Sequence, residues 1–401
     1  MTVRSWLIVL GLSLGVCVSN GFARFAYGLI LPAMREDRGW SYAEAGWINT
    51  ANALGYFAGA ILTLALVKRL PVERLFVLGM IGTSISLLLS GLTESFELLT
   101  LWRITAGIAG APVFIAGGVL AARLFPDPRR TALAIALYFG GGGIGMVLSG
   151  ATLPTLFATQ GASAWPVSWI ALGVASVAFT ALSAWAVRSL GQMERAAAPP
   201  PPATPASERL PIGRMAFALV GYGLFATGYI VYVTFLVAWM RSIEAGPGLV
   251  SATWVVIGLA IVASPFVWRG VLARFDNGIP LALATGVTAL GTLLPLGLSG
   301  SVALVASGVL FGIAVFIAPA AVTAFSRRNL APALQGSAVA LFTTIFAAGQ
   351  TVGPVAAGAI GDATGSIEQG LLAAGAVLVL GAIMALGQKR LGQTGEMAVS
   401  R

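Results

Sequence analysis

The chain has 401 residues, of which 58% are hydrophobic and only 9% are charged. A soluble domain carries about 25% charged residues, so the composition excludes a water-soluble fold and predicts an integral membrane protein. The net charge of +9 does not indicate nucleic-acid binding, because the basic residues lie in short segments between apolar runs and form no basic face.

Twelve apolar segments are long enough to cross a bilayer, whose ~30 Å hydrocarbon core takes ~20 helical residues. Hydropathy places them at roughly 6–34, 43–66, 75–92, 98–122, 131–157, 166–187, 215–239, 249–268, 279–298, 302–325, 333–360 and 369–387. The first segment continues past Arg24 and is longer than the apolar region of a signal peptide. We therefore expect it to be an uncleaved membrane helix.

The distribution of lysine and arginine predicts the orientation. With the N-terminus inside, the outer loops hold only Arg35, Arg38 and Arg241, while Arg24 and Arg103 lie within spans. The other 18 of the 23 basic residues fall in segments on the opposite side. Because cytoplasmic segments are enriched in Lys and Arg, we predict twelve spans in a bacterial-type inner (plasma) membrane with both termini cytoplasmic.

A proline-rich stretch divides the chain near its midpoint. It contains four consecutive prolines, Pro199–Pro202, and proline at that density gives an extended, semi-rigid linker. We predict an N-terminal six-helix bundle over 1–190, a cytoplasmic linker over 191–214 and a C-terminal six-helix bundle over 215–401.

Short matches between the two halves suggest that the six-helix unit is duplicated. The sequence Val113–Ala116 in span 4 recurs as Val315–Ala318 in span 10. Three glycines of span 5 recur at one constant offset in span 11: Gly141, Gly145 and Gly150 match Gly349, Gly353 and Gly358. Internal repeats of this kind are typical of transporters built from two halves.

Three motifs carry a resemblance to a known family. Span 4 contains the arginine-and-glycine stretch Arg103–Ala111, span 5 is rich in glycine from Gly140 to Gly150, and span 1 contains Asn20–Tyr27 followed by Leu31-Pro32. With six plus six helices, they resemble the major facilitator superfamily over nearly the whole chain. The span 1 motif is similar to the poorly characterised bacterial YbfB/YjiJ-type subgroup.

The resemblance implies an all-α fold of two pseudo-symmetric six-helix bundles, with the substrate site between them and alternating access as the mechanism. The chain departs from the family in the loop after span 2. There, Val67–Arg74 keeps the basic character of the family's loop motif but lacks its aspartate. The departure concerns the usual gating contacts and not the fold.

Arg24 is the first candidate for substrate binding. It lies near the middle of span 1, where a charge costs at least ~2.5 kcal/mol and normally faces a cavity or a partner. Asn20, Arg24 and Tyr27 are spaced i, i+4 and i+7, which predicts one helix face. A guanidinium there can hold a carboxylate through two parallel hydrogen bonds. The structural alternative is an arginine bound to helix carbonyls or extended toward the membrane surface.

Further polar residues indicate a lined cavity. Span 2 carries Asn49, Asn52 and Tyr56 on one face, span 7 carries Tyr229 and Tyr232, and span 11 carries Gln350. A duplication would place Tyr229 opposite Arg24 across the pseudo-two-fold axis. Arg103 lies near the outer end of span 4, where a long side chain reaches headgroups, and the family resemblance assigns it to coupling or gating.

The sequence offers few side chains within the spans for catalysis, metal binding or proton transfer. All fourteen acidic residues lie in loops or at span ends, histidine is absent and Cys17 is the lone cysteine. We therefore expect no catalytic group, metal or cofactor, and no buried carboxylate relay for protons. Two intramembrane arginines without intramembrane acids favour an anionic substrate such as a monocarboxylate.

The predicted function is secondary active or facilitative transport of a small organic anion, carried out by a monomer. Coupling could come from the substrate's own proton, or the protein could be a uniporter or an exchanger. One alternative is efflux of amphipathic drugs or metabolites, for which an apolar aromatic cavity would suffice. An alternative from another class is a membrane receptor or sensor that transports nothing.

Overall fold

The computed structural model describes residues 2–67, 69–194 and 210–392, and every regular element in these ranges is a helix. The elements are α1 Thr2–Val16, a π-helical segment Cys17–Phe25, α2 Tyr27–Arg38, α3 Tyr42–Leu66, α4 Val72–Ser90, α5 Phe96–Ala122, α6 Pro128–Gln160, α7 Trp165–Glu194, α8 Ala216–Ser242, α9 Pro247–Arg274, α10 Ile279–Gly297, α11 Ser301–Val315, α12 Ile317–Asn329, α13 Pro332–Thr364 and α14 Ile367–Leu386, with short 3₁₀ turns at Ala162–Ala164 and Ile212–Met215. They form twelve helical spans long and apolar enough to cross a membrane, which confirms the predicted number.

Two spans depart from a regular α-helix. The first is a continuous rod in which α1 passes through the π-helical segment into α2, and Ala26 N–H donates to the carbonyl of Gly21 at 2.9 Å, five residues back. The tenth is interrupted at Phe316, between α11 and α12. Hydropathy sets the position of a span but not its local winding, so neither departure follows from the composition.

The burial pattern indicates that the sides of the helix bundle face lipid. In the first and seventh spans 78% and 83% of the most apolar window is buried, whereas no other described span exceeds 61%. These two spans therefore lie at the centre, each as the first helix of its half. Large apolar side chains such as Val174, Phe266 and Leu290 are more than half exposed on the outside, as expected where no water competes.

The glycines matched by sequence make matched contacts. A Cβ on Gly145 would collide with the backbone of Gly21 in the first span, and one on Gly353 would collide with the carbonyl of Thr227 in the seventh. The third glycine of each set faces the other half: Gly150 lies against Trp254, and Gly358 against Tyr42. Equivalent positions in spans 5 and 11 thus perform equivalent packing roles.

We define the outer end of the molecule as the end carrying the loops 39–41, 91–95, 161–164, 243–246, 298–300 and 365–366, and the inner end as the opposite one. The N-terminal half denotes the described residues up to 194, and the C-terminal half those from 210. Both definitions depend only on the order of the helices along the chain. The inner end is the one that the distribution of basic residues predicts to be cytoplasmic.

Contacts between the two halves lie at the outer end and at mid-span. Helix α6 packs on α9, where Ser251 Oγ donates to the carbonyl of Gly150 at 2.5 Å. Helix α3 packs on α13, where Thr50 Oγ1 donates to the carbonyl of Thr351 at 2.9 Å. Gly28 of α2 lies against the carbonyl of Val233 in α8.

At the inner end, the polar contacts between described residues remain within each half. Arg123 pairs with Glu73 at 2.9 Å in the N-terminal half. Arg390 pairs with Asp276 at 3.2 Å in the C-terminal half. The two halves therefore meet from the middle of the bundle to its outer end. Most of the predicted linker (191–214), namely residues 195–209, lies outside the described residues.

Candidate functional site

Arg24 lies at the junction of the two halves, near the middle of the first span. Its side chain is 3% exposed, and its guanidinium donates a hydrogen bond to Oε1 of Gln350 in α13. The amide nitrogen of Gln350 in turn donates to the hydroxyl of Tyr229 in α8. Three spans from both halves thus meet in a chain of buried polar groups, which links three residues predicted separately from the sequence.

The π-helical segment positions Arg24. The hydrogen bonds of a π-helix reach five residues back, so its turn is longer than that of an α-helix and residues three apart no longer share a face. Tyr27, in α2, instead donates its hydroxyl to the carbonyl of Ala45 at 2.6 Å and stacks on Trp169. Asn20 accepts a hydrogen bond from Ser19 Oγ at 3.1 Å. The structure therefore does not bring Asn20 and Tyr27 into hydrogen-bond contact with Arg24.

The surroundings of Arg24 are aromatic and contain no acid. Its Cζ atom lies 5.2 Å from the ring centroid of Tyr56, within the range of a cation–π contact. In the described part of the chain, neither Arg24 nor Arg103 forms an ion pair. Arginine stays protonated in proteins, so positive charge is held at mid-span without a protein carboxylate beside it.

Arg103 is fully buried, which excludes headgroup contact, one of the two interpretations that the sequence left open for it. Its guanidinium donates to the carbonyl of Ala23, the residue preceding Arg24, and lies 4.8 Å from the ring centroid of Trp169. Its Nε and Nη1 atoms have no hydrogen-bond partner among the described residues. The start of α5 turns this side chain inward, so Arg103 contacts the backbone that carries Arg24.

The other predicted residues divide into two groups. Asn49 Nδ2 donates to Thr234 Oγ1 of the opposite half at 2.5 Å, and Asn52 Nδ2 donates to the carbonyl of Arg103 at 3.1 Å. Asn49 therefore links α3 to α8 across the two halves, and Asn52 links α3 to α5 at Arg103. Tyr232 belongs instead to the interior of the C-terminal half, where its hydroxyl lies 2.6 Å from Ser307 Oγ and its ring stacks on Phe311.

Sequence reasoning missed three residues that take part in this arrangement. Thr234 is the partner of Asn49 across the two halves. Phe346 lies four residues before Gln350 on α13 and stacks on Tyr229, with ring centroids 5.6 Å apart. Asp362, at the outer end of α13, binds the first backbone amides of α3. The spacing of Phe346 from Gln350 was the one available signal, because the other two contacts depend on the approach of distant spans.

Comparison with known proteins gives a family match over most of the chain. Residues 16–386 match the family described as the uncharacterised MFS-type transporter YbfB. An uncharacterised MFS-type transporter, YceJ of Bacillus subtilis (strain 168), is 24% identical over 86% of this chain and 87% of its own length. A chloramphenicol resistance protein of Streptomyces lividans is 28% identical, covering 92% of this chain and 94% of the relative.

A third relative and two solved structures extend the comparison. The probable actinorhodin transporter of Streptomyces coelicolor (strain ATCC BAA-471 / A3(2) / M145) is 28% identical over 36% of this chain and 25% of its own. The nucleoside transporter NupG superposes with a TM-score of 0.67 at 14% identity, covering 94% of this chain and 99% of that one. A bacterial homolog of the human lysosomal transporter Spinster, inward-facing and occupied, gives 0.65 at 17% identity, with 96% and 97% covered.

Proposed function

The chain belongs to the YbfB-type family of major facilitator superfamily transporters, and from that premise we propose that it carries a small organic anion whose carboxylate binds Arg24. It is a multi-pass protein of the bacterial plasma membrane that transports a small molecule, and it is not an enzyme. The anionic nature of the substrate is supported above all by one observation. Arg24 is a buried cation at mid-span whose partners are an amide and an aromatic ring.

The electrostatic argument follows from the cost of burying charge. A charge removed from water is expensive unless a partner compensates it. Gln350 offers Arg24 a dipole and Tyr56 offers a ring face, and neither carries a negative charge. A carboxylate that displaces the Gln350 oxygen supplies the missing charge and accepts two parallel hydrogen bonds from the guanidinium. Gln350 and Tyr229 then remain to bind other polar atoms of the substrate.

The proposed transport cycle is alternating access. The predicted bundles 1–190 and 215–401 rock against each other around the mid-span site. The linker 191–214 lies in the cytoplasm. A monomer is sufficient for transport. The contacts at the outer end support an inward-open state, since the polar contacts at the inner end stay within each half. Arg103 acts as a positioning residue, because it holds the carbonyl of Ala23 next to Arg24.

Efflux of amphipathic compounds is the second candidate function. Two relatives, each 28% identical to this chain over the matched residues, are named as a chloramphenicol resistance protein and a probable actinorhodin transporter. The aromatic side chains around Arg24 suit such compounds as well. The two candidates differ in one respect: efflux of neutral compounds does not require the charge of Arg24.

Ligand-induced thermal shift of the purified protein decides between them, since a ligand that binds only the folded state raises apparent stability. The probes are monocarboxylates, primary amines and neutral amphipathic drugs. Arg24→Lys keeps the charge but lacks the planar pair of donors, so carboxylate affinity should fall about 10- to 100-fold, and Arg24→Ala should abolish it. The exposed Arg74→Ala is the matched control and should bind like the wild type.

The outcome is read at matched amounts of folded protein. If Arg24→Ala folds and still binds carboxylates as the wild type does, the anion site is refuted. If only neutral drugs shift the wild type, the efflux candidate takes its place. If Arg24 is structural, Arg24→Ala lowers the yield and the melting temperature of the unliganded protein, and any lost transport follows the lost protein.

A further inference from the structure

Four aromatic rings of the C-terminal half form a group that leads to the polar chain at Arg24. Tyr229, Phe225 and Phe346 contact one another in a triangle, with ring centroids 5.1, 5.6 and 6.3 Å apart and planes inclined by 22° or less. Tyr222 joins this group, with its ring centroid 5.1 Å from that of Phe346. The Tyr229 hydroxyl accepts from Gln350, so the aromatic group and the polar chain share one residue.

A second aromatic group comes from the N-terminal half. The Tyr56 ring faces the guanidinium of Arg24 and meets Phe114 edge to face, with centroids 6.2 Å apart. Phe114 contacts Phe139 of α6 at 4.6 Å. Arg24 therefore has aromatic groups of both halves beside it: it touches Tyr56 directly and reaches Tyr229 through Gln350.

The aromatic groups lie on the inner side of the charge. Phe346 precedes Gln350 by one turn of α13, ~5.4 Å closer to the inner end. Phe114 follows Arg103 by eleven residues along α5, which also runs toward the inner end. Phe114, Phe139 and Phe346 are only partly buried, although they lie deep within long spans. A solute that enters from the inner end thus passes ring faces before it reaches the guanidinium.

From this arrangement we infer that the transported anion is an aromatic carboxylate, bound with its carboxylate on Arg24 and its ring against Phe346 on one side and Phe114 on the other. The inference rests on the proposed function and adds the chemical class of the apolar part. Aromatic faces distinguish a planar ring from a saturated one of similar size, because stacked and edge-to-face pairs add to the area that is buried. A short aliphatic acid would bind Arg24 without contacting Phe346 or Phe114.

Four probes and three variants test the inference. Benzoate, cyclohexanecarboxylate, acetate and benzamide are titrated against the purified full chain, and apparent Kd values are taken from the thermal shifts. Benzoate should bind about 2- to 12-fold more tightly than cyclohexanecarboxylate. Phe346→Leu and Phe114→Leu, which keep an apolar side chain, should each reduce this ratio toward one. Phe266→Leu, which changes an outward-facing ring that is 52% exposed, should leave the ratio unchanged.

The outcomes separate failure of the inference from failure of the proposed function. If benzoate and cyclohexanecarboxylate bind equally well, or if both Leu variants keep the wild-type ratio, the aromatic preference is refuted while the anion site stands. If benzamide binds as tightly as benzoate, the anion site is refuted. If none of the carboxylates binds, both are refuted. The two Leu variants lie on different halves, so loss of folding in one leaves the other as a test.

Discussion

The side-chain carboxylate of Asp362 lies 2.7 Å from the backbone nitrogen of Tyr42, and its second oxygen lies 2.8 Å from that of Ala43. Asp362 is close to the end of α13, whereas the two amides begin α3 in the other half. The first amides of a helix have no partner within the helix and carry partial positive charge. Asp362 therefore fastens the halves together at the outer end through a charge-assisted contact.

Removal of this carboxylate should loosen the outer end. Hydrogen bonds to a charged group contribute about 1.5–3 kcal/mol, so Asp362→Ala should increase the population of outward-open molecules by about tenfold or more. The reporter is a cysteine at Thr50, which is 3% exposed and lies at the contact between α3 and α13, in a Cys17→Ser background. Labelling of intact cells with a membrane-impermeant maleimide should be about tenfold faster in Asp362→Ala.

Glu94→Ala is the control for this experiment. Glu94 also lies at the outer end, but its partner Arg38 belongs to the same half, at 3.0 Å. Glu94→Ala removes one negative charge, as Asp362→Ala does, but releases no contact between the halves. Labelling of the Thr50 cysteine should therefore keep its original rate. Equal labelling of Asp362→Ala and the parent protein would show that Asp362 does not hold the outer end closed.

The spans and the central arginine could be predicted because their signals are local. Each span is a run of apolar residues, so twelve were predicted, and the described residues contain twelve. Arg24 stood out because charge within a span is rare and normally has a partner or a function. Tyr229 was expected opposite Arg24 and Gln350 was selected as a polar residue on a span, but the bonds from Arg24 to Gln350 and from Gln350 to Tyr229 depend on the meeting of three distant helices.

The features that the sequence did not predict share a physical cause. The spacing of Asn20, Arg24 and Tyr27 assumes α-helical geometry, and the π-helical segment changes it. For Arg103 the sequence left headgroup contact and a coupling or gating role open, and its side chain points into the bundle toward Ala23. Asp362 was set aside as an acid at a span end, because its role depends on α3 of the other half. Each case depends on local winding or helix packing, which hydropathy does not encode.

The orientation of the chain is the next prediction, and it rests on the 18 basic residues assigned to one side. A reporter fused after Pro200 should read as cytoplasmic. Reporters fused at Gly161 and Gly300, which lie in two loops of the outer end, should read as periplasmic. Enzymatic reporters active on only one side of the membrane supply the measurement. A periplasmic reading after Pro200 would contradict the predicted orientation.

Close packing of α13 on α8 should depend on Gly353. A Cβ at this position would overlap the carbonyl of Thr227, so Gly353→Val must push α13 and α8 apart. Overpacking of this kind costs about 1–3 kcal/mol and should lower the apparent melting temperature of the purified protein. Gly336→Val is the matched control, because it lies on the same helix with open space around its Cβ position. Similar melting of both variants would argue against the observed approach of α13 to α8.

Gln350→Glu gives the last prediction, because it places a carboxylate where the substrate's carboxylate is proposed to bind. Glutamate has nearly the shape of glutamine, and in the structure the Gln350 Oε1 atom already accepts from Arg24. The new carboxylate should pair with the guanidinium, raise the melting temperature of the unliganded protein and weaken carboxylate binding by about tenfold or more.

Gln350→Leu separates this effect from simple loss of the glutamine. It removes the bonds to Arg24 and Tyr229 without adding charge, so it should lower the melting temperature. Because the guanidinium stays free for a carboxylate, anion binding should weaken less in Gln350→Leu than in Gln350→Glu. Undiminished carboxylate binding in folded Gln350→Glu would mean that the anion does not bind Arg24, since a carboxylate at position 350 neutralises the guanidinium and repels a second carboxylate beside it.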